Sequence, residues 1–185
     1  MLWDSAVRRF GADQSGVAAI EAAITFPILI LLFFGVVNVA DYVATLNRIV
    51  TASNLTGDLV ARNDGTVTSS AIDDYFTAAG LAIRPINAAD VRMSVYAFRK
   101  NGQTMTQQWS RSSAGGTAAC AIDTSTLSTL VDNGQDVVLA VACTSYAPPV
   151  VTFMGANILG FTSITITEQM ALRPRISDTI ACSGC

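Results

Sequence analysis

Ala22–Ala40 reads AAITFPILILLFFGVVNVA, 19 consecutive residues without a charge. At about 1.5 Å per helical residue the segment covers about 28 Å, close to the roughly 30 Å hydrocarbon core of a bilayer. It predicts one transmembrane helix. Pro27 near its start and Gly35 within it are tolerated in membrane helices, where neighbouring groups satisfy the freed backbone, and Pro27 predicts a gentle kink. A cleavable signal peptide has a shorter apolar core, about 7 to 15 residues, and small residues at its cleavage site. Here Asn38, Val39 and Ala40 precede Asp41, which places an amide side chain where a small residue is needed, so a retained span is expected.

Charge and cysteine placement set the expected orientation. Arg8 and Arg9 precede the span, and Arg48 is the first basic residue after it. The excess of arginine before the span favours a cytoplasmic N-terminus. Cys120, Cys143, Cys182 and Cys185 all follow the span, where an oxidising periplasm or exterior lets thiols pair. The chain is therefore expected to cross a membrane once, with its N-terminus cytoplasmic and its C-terminal part in the periplasm or exterior.

Beyond the span the apolar pattern changes with no turn signal between. Asn47, Thr51, Asn54, Asp58 and Arg62 follow one another at spacings of 4, 3, 4 and 4 and form a polar stripe opposite Leu46, Ile49, Val50, Ser53, Leu59 and Val60. That is the period of an amphipathic helix, so the helix runs on to about Arg62 and stops at Asn63-Asp64-Gly65. Gly57 reads as a weak point in it. A second helix is expected over Ser69–Ala79, with Ser69 as N-cap, Ile72, Tyr75 and Phe76 on its apolar face, and Gly80 as its stop.

Strand signals come next. Over Asp90–Lys100, Val91, Met93, Val95 and Ala97 alternate with Arg92, Ser94, Tyr96 and Phe98, and Asn101-Gly102 supplies a hairpin turn. Gln103–Trp109 is then the returning strand, and Val137–Tyr146 and Ser163–Arg173 are two more, with a helical turn over Thr124–Asp132. The expected class is α+β. One transmembrane helix continues into a long amphipathic helix packed on a small antiparallel sheet, with 1–16 before the span, 17–40 in it and 41–185 beyond it.

Composition narrows the function. The 185 residues are 51% apolar, enough for a core, and 14% charged, with no histidine and a formal net charge of -3. Without histidine there is no Ser-His-Asp or Cys-His nucleophile, no ordinary zinc site and no imidazole haem ligand. With a pI near 4.7 and Lys100 as the single lysine, the chain has no basic stripe for nucleic acid. No nucleophile, base or cofactor loop stands out, so no enzyme activity, cofactor, metal or small-molecule substrate is expected.

Three groups of residues merit a chemical reading. Glu21 lies at the edge of the apolar run, and a carboxylate at the centre of a membrane helix costs roughly 2.5 to 3.5 kcal/mol. Cleavage after Gly16 makes Val17 the new N-terminus, with its ammonium one helical turn from Glu21, in the same chain or a neighbour. Without cleavage, Glu21 rests at the headgroup level of an anchor, favoured by the helix dipole. The spacing alone leaves both open. Cys120 and Cys143, and the Cys182-Ser183-Gly184-Cys185 motif, predict structural disulfides, since no second motif or histidine completes a metal site; four cysteines allow three pairings. Asp73-Asp74 and Asp132 with Asp136 lack the oxygen ligands of a calcium loop and read as solvated helix ends. Val150–Phe161 is apolar for an exposed loop and is expected to pack on the long helix or on another subunit.

RRFGADQSGVAAIEAAITFPILILLFFGVVNVADY resembles the N-terminal signature of the TadE-like pseudopilins of the tight-adherence (Tad, Flp) pilus system. That family is similar to type IV pilins in its short hydrophilic leader, a glycine, a glutamate five residues later and a proline-containing apolar helix, here Gly16, Glu21 and Pro27. The likeness extends loosely over NRIVTASNLTGDLVAR, the strand with Trp109, VVLAVACTSYAPPV and ITITEQMALRPR. One departure is Ala22, where many members carry an aromatic residue. The resemblance implies a pilin-like fold and a structural role as a minor pilin in pilus assembly for surface adhesion. It also implies processing between Gly16 and Val17 by a prepilin peptidase, storage in inner-membrane lipid and other pilins as partners. The alternative is a permanently anchored periplasmic binding module that does not assemble.

Overall fold

The structure, a computed structural model, describes residues 15–116, 119–149 and 163–185. Residues 1–14, with Arg8 and Arg9, and the apolar stretch Val150–Phe161 lie outside the described residues. Helix α1 spans Ser15–Ala61, 47 residues without a break, as the change of pattern without a turn signal predicts. The chain divides into two compact units between Asp41 and Tyr42.

In the second unit α1 contributes Ile49, Ala52 and Val60 to the main core, and Asn47, Thr51, Asn54 and Arg62 face solvent. The buried stripe also holds Thr45, Ser53, Thr56, Gly57 and Ala61. It is built from small residues as much as apolar ones. Gly57 shows why: a Cβ there would lie 3.1 Å from both the Ala140 Cβ and the Leu172 Cδ1. What sequence marks as a weak point is a place where helix and sheet approach closely. The helix ends where the Asn63 side chain donates to the carbonyls of Leu59 (2.9 Å) and Val60 (3.2 Å), and Gly65 takes φ 69°, a backbone conformation glycine enters without steric cost.

Strand β1 (Thr66–Thr68) leads into α2 (Ser69–Ala82). The N-cap is Thr68, whose hydroxyl accepts from the Ala71 amide at 3.2 Å, one residue before the expected Ser69. Gly80 does not stop the helix. It is buried inside it, where a Cβ would meet the Ala88 Cβ at 2.8 Å. The helix runs two residues beyond Gly80, to Ala82.

Strands β2 (Val91–Asn101), β3 (Thr104–Ser112), β4 (Asp136–Tyr146) and β5 (Ile164–Leu172) form an antiparallel sheet in the order β3-β2-β4-β5. Asn101 pairs with Thr104, so the hairpin loop is Gly102-Gln103, one residue later than expected. Gly102 has φ 65° and no described non-glycine residue has a positive φ, which suits a turn with glycine at its first central position. A bulge between Ala97 and Phe98 shifts the β2–β3 register.

Both faces of the sheet are covered. Val91, Met93, Val95, Ala97, Val138, Ala140 and Ala142 join the helices in the main core. Phe98, Val137, Leu139, Val141 and Cys143 form a second core with Cys120, Leu127 and Val131. A short helix α3 (Leu127–Leu130) closes this second core, held by the single lysine: Lys100 Nζ donates to the carbonyls of Ser128 (2.7 Å) and Val131 (2.9 Å). The 23-residue separation from Cys120 to Cys143 is closed by a disulfide with a Cα–Cα distance of 5.6 Å. Replacing both cysteines with serine is expected to cost about 3 kcal/mol on the chain-entropy account, measured by urea unfolding, with the loss concentrated in the 119–131 segment by hydrogen exchange.

After β5 the chain forms an anchored tail that no periodicity announces. The Asp136 amide donates to the Asp178 carbonyl at 2.8 Å, and the Arg175 amide to the Ala61 carbonyl at 2.8 Å. Trp109 Nε1 donates to the Ile180 carbonyl at 2.9 Å. The tail ends in β6 (Ala181–Ser183), parallel to β1, with Val67 opposite Cys182 and Thr68 opposite Ser183.

Two of the four aspartates expected to be solvated are engaged instead. Asp136 has a fully buried side chain and accepts from Arg99 Nε at 2.6 Å, Arg99 Nη2 at 2.9 Å and the Ile180 amide at 2.8 Å. It is a buried β4 residue, because the tail folds over it. Asp73 accepts from Arg111 Nε (3.1 Å) and Nη2 (2.6 Å), joining α2 to β3, whereas Asp74 and Asp132 are exposed. Hydrogen bonding to Arg111 holds the Asp73 carboxyl below its ordinary value, against a smaller opposing effect of burial. A folded-state pKa below the unfolded one means the contribution is complete above about pH 4 and is lost as pH falls through the lowered value. Asp73→Asn is therefore expected to flatten the acid limb of the melting curve below about pH 4, with a small amplitude that shrinks in salt because both partners are well exposed.

Candidate functional site: the N-terminal helix

The first unit carries the residues singled out for processing and assembly. Between Ser15 and Ala40 the only charged side chain is Glu21. The apolar side chains around it are open on all sides of the helix: Val17 is 57% exposed, Ile24 63% and Leu31 70%. A helix that is apolar all round and unburied has an environment matched to lipid or to other apolar helices, not to water. Mean hydropathy over its most apolar window is 2.4, so α1 is long and apolar enough to cross a membrane once.

Gly16, Val17 and Glu21 lie on this one helix. Four residues separate Val17 from Glu21, which puts them on the same face one turn apart. Among the described residues, no atom outside the local helix lies within 4 Å of the position a Gly16 Cβ would take, so packing among them does not explain that glycine. Thr25 Oγ1 donates to the Glu21 carbonyl at 2.7 Å. Two residues later Pro27, which lacks an N–H, cannot bond the carbonyl one turn before it, yet the helix continues through it. The Glu21 residue itself is exposed.

The cysteines lie in the second unit as two pairs: Cys120–Cys143 in the second core, and Cys182–Cys185 at the end of β6. The described residues contain no cluster of three or more Cys, Asp or Glu able to hold a metal ion. The small-residue stripe of α1 and the buried Asp136 were not legible as important, since nothing local distinguishes a buried aspartate from an exposed one.

Comparison with protein families gives a match to the TadE family, described as TadE-like protein, over residues 16–54. Comparison with curated proteins and with solved structures gives no match. The matched stretch begins at Gly16, contains Val17, Glu21 and Pro27, and continues into the part of α1 that packs on the sheet. With one helix among the described residues able to span a bilayer, the chain fits a single-pass membrane protein. Its N-terminal segment is similar to the TadE-like family over those residues.

Proposed function

We propose that the chain is a structural minor pilin or pseudopilin in the assembly of Tad pili for surface adhesion, cut between Gly16 and Val17 by a prepilin peptidase. Residues 17–40 hold the subunit in inner-membrane lipid before assembly, and 41–185 form its periplasmic domain. Within a pilus or its tip complex, the apolar helix packs among those of other pilins. The observation that carries this reading is the exposed apolar helix with one carboxylate, Glu21, a single turn after Val17 in the TadE-like segment. Lipid and neighbouring helices are both apolar solvents for its side chains, so one surface serves for storage and for assembly. Removing the leader takes away Asp4, Arg8, Arg9 and Asp13, charges that resist leaving the aqueous face.

The test is the mature N-terminus, read by mass spectrometry on protein isolated from the native host. Val17 is the expected first residue, and Gly16→Leu is expected to leave the full leader in place. A leader from Met1 to Gly16 on functional wild-type protein would instead support a permanently anchored binding module.

A further inference from the structure

The two disulfides stand in opposite surroundings. Cys120 and Cys143 are 7% and 5% exposed and belong to the second core. Cys185 is exposed and Cys182 half-buried, packed at the margin of the main core. The Cys182–Cys185 bond closes over only two residues, whereas the other spans a separation of 23. A short ring removes less chain entropy from the unfolded state, so less folding free energy opposes its opening.

Its location adds a second feature. In the β1–β6 pairing Ser183 lies opposite Thr68, the N-cap of α2. Gly184, at φ 83°, comes so near the start of that helix that a Cβ on it would be 3.1 Å from the Ser69 Oγ. Ser183 and Gly184, the two residues inside the ring, therefore lie beside the first turn of the 14-residue helix α2. The tail is meanwhile fixed before the motif begins, through the Ile180 amide on Asp136, the Ile180 carbonyl on Trp109, and the Ala181 amide on the Gly65 carbonyl at 2.8 Å. Opening the ring leaves these bonds in place.

We propose that Cys182–Cys185 is a thiol-exchange site that accepts a dithiol, with Cys185 as the sulfur attacked first, and that Cys120–Cys143 stays closed under the same conditions. A thiolate of the dithiol attacks the exposed Cys185 Sγ. The new bond joins the dithiol to Cys185, the Cys182–Cys185 bond breaks, and its electron pair leaves on Cys182 as a thiolate. The second thiolate of the dithiol then attacks its own sulfur in the mixed disulfide and releases Cys185. Two electrons pass to the pair, two protons from the medium complete its thiols, and the dithiol leaves as a disulfide. The site makes no use of Glu21 and stands independently of the assembly reading.

The experiment uses the full chain in detergent micelles, exposed to graded dithiothreitol, quenched with iodoacetamide and mapped by mass spectrometry. Cys182 and Cys185 are expected to become alkylated at least about tenfold faster than Cys120 and Cys143, with far-ultraviolet circular dichroism unchanged. Brief treatment with reduced glutathione, followed by acid quenching, is expected to place the first adduct on Cys185. Equal reduction of the two pairs, loss of the folded signal when the terminal pair opens, or a first adduct on Cys182 would each overturn the proposal.

Discussion

Glu21→Ala is expected to lower incorporation into Tad pili by about a hundredfold, the equivalent of about 3 kcal/mol for an ammonium left without its partner in an apolar bundle. The expectation rests on the proposed cut after Gly16. Once Val17 carries a free ammonium, packing among other helices removes water from it, and no other charged side chain lies between Ser15 and Ala40 to compensate. Glu21→Asp should retain part of the effect, because it keeps the charge on a shorter stem. Glu21→Gln should resemble alanine, because an amide cannot neutralise the ammonium. Residue 21 is exposed and outside the second unit, so the thermal transition of the C-terminal domain should be the same in all three variants. Pilus-bound protein relative to membrane-bound protein is the quantity to measure. Wild-type incorporation of Glu21→Ala would remove the proposed role, and a shifted thermal transition would show that the residue acts on folding instead.

The second large effect is expected at Asp136, where alanine should destabilise the C-terminal domain by about 3 to 5 kcal/mol. Two losses combine. The Arg99 guanidinium keeps its position over a site whose carboxylate is gone, and the Ile180 amide, which donates to Asp136 at 2.8 Å, becomes a buried donor without an acceptor. Domain stabilities are typically about 5 to 15 kcal/mol, so the variant should melt many degrees lower. Asp136→Asn leaves an acceptor for Ile180 and should cost less. Combining Arg99→Met with Asp136→Leu removes both charges and should recover much of the loss, since an apolar pair of similar volume often replaces a buried ion pair. Chemical denaturation of the wild type, Arg99→Met, Asp136→Leu and the double variant gives the coupling between the two sites. A loss below about 1 kcal/mol for Asp136→Ala would place this pair with weak surface ion pairs.

The contrast between these two residues marks what was readable in advance. Glu21 was legible because its surroundings are written along the chain: a carboxylate beside a run of uncharged residues has an unusual environment whatever the fold. Asp136 sits among Asn133, Gly134 and Gln135, a polar turn by any local measure. Its burial comes from Asp178 and Ile180, more than forty residues away. The turn glycines show the same division. Gly65 and Gly102 were readable as turn formers, but Gly57 and Gly80 answer to Ala140, Leu172 and Ala88, partners that only folding brings near.

By itself the sequence determined the long helix, its apolar first half, the strands of the sheet and the TadE-like pattern of Gly16, Glu21 and Pro27. These rest on local periodicity and uninterrupted hydropathy, which need no knowledge of distant residues. The tertiary structure alone decided the pairing of the cysteines, the second core beneath α3, the anchored tail with its β1–β6 pairing, and the burial of Asp136. Each of these joins segments far apart in the chain by contacts that leave no period in the sequence. A three-residue strand is too short to show alternation, and a disulfide is chosen by which Cβ atoms folding brings within reach.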